Sequence, residues 1–100
     1  MMMTVYKYPV TEVRNFCLAM PSGAKFLKMD WQHEKLVMWW HVDLSMPFVT
    51  RQFATVGTGL EAAHVRDWQY LDSYQLLGGK FVGHLFVGQE QPEKTLRKHL

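Results

Sequence analysis

An all-β fold, a small antiparallel β-sandwich or open barrel of about six or seven strands with at most one short helix, is the architecture this chain predicts. Three observations carry it. Short segments rich in β-branched and aromatic residues recur at intervals of about 8 to 12 residues, separated by Pro and Gly clusters. Residues 24–43 alternate with a period of two, as half-buried strands do. Two apolar runs, 70–77 and 80–87, are separated by the dipeptide Gly78-Gly79, a pair that adopts φ > 0 without steric cost and so predicts a tight two-residue hairpin turn.

Residues 4–8 and 10–19 read as two strands joined by a kink at Pro9, which has no amide to donate to a ladder. Met20-Pro21-Ser22-Gly23 is a turn cluster. In 24–31 the alternation places Leu27, Met29 and Trp31 on one face and Lys28 and Asp30 on the other with Phe26. A short turn, Gln32-His33-Glu34-Lys35, leads into LVMWWHVD, where Leu36, Met38, Trp40 and Val42 form the inward set and Trp39 points the opposite way. Residues 48–56 are a further strand, ended by Gly57-Thr58-Gly59. Residues 60–68 are the candidate for one helical turn, with Leu60, Ala62 and Ala63 packing inward. The reading gives one domain, residues 1–88, and a polar tail, 89–100.

Nearly half of the 100 residues are hydrophobic, with four Trp, four Tyr and six Phe, enough for a core without covalent staples. Cys17, the single cysteine, has no internal partner and fits a reducing compartment, and its apolar neighbours predict a small buried or half-buried thiol. No signal peptide or membrane span is indicated. The expected location is therefore cytoplasmic. The formal charge of +2 comes from basic residues that are scattered except at the C-terminus, so nucleic-acid binding is not favoured.

Chemistry-bearing motifs are few. Walker loops, metalloprotease helices and nucleophile elbows are missing, and Gly57-Thr58-Gly59 lacks the context of a dinucleotide fingerprint, so no catalytic residue and no cofactor are expected. His41 and Asp43 share one strand face and could join His84 around a metal, although no cysteine pair supports such a site and no metal is expected. Trp39, outward on a sheet whose other face is already aromatic, marks a partner surface or a covered face. Arg51 is its expected polar neighbour.

Taken in order, Tyr6-Lys7-Tyr8-Pro9, Pro21-Ser22-Gly23-Ala24, the strand ending Val42-Asp43, Arg51-Gln52-Phe53 leading to Gly57-Thr58-Gly59, Tyr70-Leu71, Gln75-Leu76-Leu77-Gly78-Gly79 and Phe81-Val82-Gly83-His84-Leu85-Phe86 resemble a family of small uncharacterised mostly-β proteins of tailed phages and prophages. The resemblance implies a compact accessory protein with no activity established for the family. The chain departs from the pattern in the longer, more apolar segment after Gly59, in Gly83 where a bulkier residue is usual, and in the tail.

The expected function is non-enzymatic: binding and occluding a bacterial host protein in the host cytoplasm, as an inhibitor of a defence system. Trp39, Arg51, Thr58, His64, Arg66 and Trp68 are the expected binding residues. The alternatives are capture of a small molecule or signalling nucleotide by the loops around Thr58 with Arg51 and Trp39, or a minor virion component. Exposed strand edges also allow a homodimer.

Overall fold

The computed structural model describes residues 2–11 and 14–92. Seven strands of seven or more residues and one two-residue strand form two antiparallel sheets. The first holds β1 (Met3–Pro9), β4 (Lys35–Asp43) and β3 (Lys25–Gln32) in the order β1-β4-β3. The second holds β2 (Asn15–Pro21), β5 (Phe48–Gly57), β7 (Phe81–Val87) and β6 (Gln69–Leu76) in that order, with β8 (Gln91–Pro92) beside β5. Among the described residues the only helical turns are two 3-10 turns, Ala63–Val65 and Leu77–Gly79. The two early strands thus lie in different sheets.

The inner faces pack as the alternation requires. Leu36, Met38, Trp40 and Val42 on β4 are each at most 3% exposed, and they meet Phe53, Leu85 and Val87 of the second sheet. The Trp40 ring stands edge-on to Phe53 at 6.0 Å and to Phe26 at 5.5 Å, and its indole N–H donates to Met38 Sδ. Aromatic pairs of this geometry add to area burial, and the polar edge of the indole is not left orphaned.

Several local expectations are corrected. A β-bulge shifts the β3–β4 register between Phe26 and Lys28, so Phe26 turns inward with Met29, Leu27 is left 52% exposed, and Trp31 at the sheet's rim is 37% exposed. The Gly78-Gly79 hairpin is present, but its loop is four residues long. Leu76 pairs with Phe81, and Leu77 joins both glycines at positive φ (54°, 67° and 92°). In 60–68 the buried side chain is Val65, whereas Leu60 is 66% exposed and Ala63 is exposed. Cys17 is exposed, because its position on β2 alternates away from Phe16 and Leu18, which pack toward the core.

Gly83 has a packing reason. The Tyr74 ring lies across it so closely that any Cβ there would overlap the ring. The domain also extends past residue 88. Glu90 accepts hydrogen bonds from Ser22 Oγ (2.8 Å) and Gly23 N (2.7 Å), and Gln91–Pro92 pairs with β5. The remainder of the expected tail lies outside the described residues.

Candidate binding face

Alternation on the three-stranded sheet sends Trp39, His41 and Asp43 of β4 to the side away from the core. Lys7 and Val5 of β1 join them there, with Lys25 and Lys28 of β3. Trp39 is flanked by Lys7 on one neighbouring strand and Lys28 on the other, and His41 by Val5 and Lys25. Trp39 is half-buried, Val5 and the bulged Leu27 are about half exposed, and no described segment crosses the face. A shallow groove of about 540 Å³ runs past Val5, Leu27, Lys28, Asp30, Trp31 and Trp39.

Electrostatically the face is basic. Lys7 Nζ donates to Gln32 Oε1 at 2.7 Å, and Lys28 stands 3.4 Å from Asp30 in a pair too exposed to neutralise it firmly. The Asp43 carboxylate accepts from Ser45 Oγ and the Ser45 amide, which hold its pKa below the ordinary value. That acid is engaged in closing the β4–β5 turn.

The other expected site residues do not gather around Trp39. Arg51 lies on the inner face of β5, two residues from Phe53, with its guanidinium 5.8 Å over the Trp40 ring. Its Nε donates to the Gly88 carbonyl at 2.9 Å. Burial lowers its pKa, Glu90 at 4.0 Å works against that, and an arginine stays charged regardless. It is an interior fastener, separated from the Trp39 face by the first sheet. The strand pattern contained this signal, since Arg51 and Phe53 share parity.

Thr58 lies on the outer side of the second sheet, where its hydroxyl is 2.7 Å from His84 Nε2. His84 Nδ1 is 2.7 Å from Ser73 Oγ, and Ser73 Oγ is 2.6 Å from the Tyr70 hydroxyl. This chain of hydroxyls and imidazole ties the 57–59 turn to β6 and β7. A serine does meet a histidine here, but the imidazole's second nitrogen faces a hydroxyl where an acyl-transfer triad would place a carboxylate. Because His84 belongs to the second sheet and His41 and Asp43 to the first, the three do not converge. Among the described residues no group of three His, Cys, Asp or Glu could hold a metal ion.

His64, Arg66 and Trp68 belong to the segment that crosses the outer face of the second sheet. Val65, 2% exposed, packs onto Ala54 and Val56, with Ala62, Trp68 and Phe86 around it. His64 faces Glu61 at 3.7 Å, and Arg66 is exposed beside Asp67. Thus Thr58, His64, Arg66 and Trp68 share one side of the molecule and Trp39 occupies the other. The sequence reading missed Lys7, Lys28, Val5 and Leu27 as neighbours of Trp39. The period-two pattern of β1 and β3 could have supplied the lysines, but not the bulge that exposes Leu27.

No helix of the described residues is long and apolar enough to cross a membrane. No curated protein and no solved structure matches the chain. A family profile described as a domain of unknown function, DUF7352, matches residues 1–95, and the chain belongs to that family.

Proposed function

We propose that this chain is a non-enzymatic binding protein that acts by covering part of another protein, with the Trp39 face of the first sheet as the contact. The observation that carries the reading is the Trp39 ring with Val5 and Leu27 on a lysine-bearing sheet face that no described segment crosses. Large aromatic side chains surrounded by partly exposed apolar groups and a charged rim are the usual composition of binding hot spots. Lys7, Lys25 and Lys28 favour a partner whose contact surface is acidic at its rim and apolar at its centre.

The resemblance to phage accessory proteins supports a bacterial host protein as the partner, in the host cytoplasm, and blockade of a defence component as the effect. The test is parallel capture from bacterial lysate by the wild type, by Trp39→Ala and by Lys28→Glu. The expected result is one stoichiometric protein retained by the wild type and lost by both folded variants. A band retained equally by all three, or none with the wild type, overturns the reading.

A further inference from the structure

A cleft lies on the outer side of the second sheet, remote from the proposed docking face. It has a volume of about 240 Å³, and Asn15, Cys17, Gln52, His64 and Trp68 line it together with Phe16 and Phe53. Cys17 and Gln52 are register partners on adjacent strands, and Asn15 lies two residues from Cys17 along β2, so the three side chains share one face of the sheet. Trp68 forms a wall. Its indole is backed by Gly88, where a Cβ would sit 3.2 Å from the ring, and the position admits the ring because no side chain is there.

None of the side-chain hydrogen bonds among the described residues uses the Asn15 or Gln52 carboxamide or the Trp68 indole N–H. The cleft therefore presents two carboxamides with spare donors and acceptors beside an aromatic ring. A carboxamide offers a donor and an acceptor side by side, the pairing shown by the edge of a nucleobase, and an indole gives a base a stacking surface. Among the described residues no lysine or arginine lines the cleft, and His64 already faces Glu61, so none of them is arranged to hold a phosphate. The volume is below the roughly 300–1,000 Å³ of clefts that enclose drug-sized ligands, which suits one base with its sugar.

We propose that this cleft binds a neutral nucleoside, with Gln52 and Asn15 reading the base edge and Trp68 contacting its ring.

Cys17 makes the test direct, because the chain's single thiol is exposed and lines the cleft. The rate of Cys17 alkylation by iodoacetamide is measured in the full-length protein with adenosine, guanosine, cytidine or uridine, each up to millimolar concentration, and with glucose. At least one nucleoside is expected to slow alkylation about tenfold when present at about ten times its Kd. Gln52→Ala, an exposed position that the fold tolerates, is expected to weaken that protection about tenfold. The corresponding 5′-monophosphate should protect no better than the nucleoside. The proposal is overturned by unchanged rates with all four nucleosides, by equal protection from glucose, by protection that Gln52→Ala leaves intact, or by a monophosphate that binds tenfold more tightly.

Discussion

The two outer faces of this sandwich are built from the same kind of alternating strand yet end in different states. On the second sheet, Ala54 and Val56 of β5 and Phe86 of β7 point away from the core and are roofed by residues 61–68, with Val65 pressed down to 2% exposure. On the first sheet, Trp39 and its neighbours Val5 and Leu27 point outward in the same way, and no described segment crosses them. The difference teaches that strand pattern alone does not say whether an outward aromatic is core or surface. The deciding element is the covering segment, and among the described residues it lies on one sheet.

The largest effect should come from breaking the roof. Val65→Asp places an unpaired carboxylate in an apolar contact and should cost more than about 3 kcal/mol, whereas Val5→Asp on the open face should cost only about 1 kcal/mol, mostly strand propensity. Urea unfolding of the two variants measures both. Similar losses for the two would erase the distinction between the faces.

Next is the seam between the sheets. Arg51→Ala removes the bond to the Gly88 carbonyl, the contact with Trp40 and the partner of Glu90, and should cost about 2 kcal/mol in thermal or urea unfolding. A loss of partner capture with unchanged stability would instead assign Arg51 to binding.

A smaller, pH-dependent contribution comes from Glu90. The Gly23 amide, the Ser22 hydroxyl and, less strongly, Arg51 hold its carboxyl below the ordinary glutamate value in the folded state. The folded pKa is depressed, so this stabilisation is fully present above the unfolded pKa and is lost as pH falls through the folded one. Unfolding free energy measured from neutral to strongly acidic pH should therefore fall less steeply in Glu90→Gln than in the wild type. Parallel curves would show that the latch is not formed in solution.

The smallest effect on stability belongs to the open face. Lys28→Glu should change unfolding free energy by no more than about 0.5 kcal/mol, since its pair with Asp30 is exposed. Capture of the partner should nevertheless drop at least about tenfold, and the wild-type complex should weaken as salt rises.

Much of the sandwich was legible because period-two alternation is a one-dimensional signal. Leu36, Met38, Trp40 and Val42 could be placed inward from the sequence, and the His33-Glu34 turn and the Gly78-Gly79 hairpin join the strands expected of them. The failures have particular causes. At Leu27 a bulge inserts one residue, which reverses the parity of everything before it, and no residue type there announces it. In 60–68 helical propensity pointed to Leu60, Ala62 and Ala63, of which only Ala62 packs against the sheet, and Val65 was passed over. Val65 is buried because it folds back over the 57–59 turn onto Ala54 and Val56, a contact that helical or strand periodicity does not encode.

The candidate site was half legible. Trp39 could be assigned outward from its neighbours Met38 and Trp40, but its companions come from two other strands and depend on register. Arg51 was drawn toward the surface by its charge. The parity it shares with Phe53 was the better guide.

Hydroxyl-radical footprinting of the full-length protein tests the central claim most directly, because it reports side-chain exposure on both faces in one sample. The account predicts that Val5, Leu27 and Trp39 are oxidised readily in the free protein, at rates far above those of Val65 and Trp40. Protection of Val5, Leu27 and Trp39 comparable to that of Val65 would show that the face is covered, and would contradict the assignment of this surface to a partner.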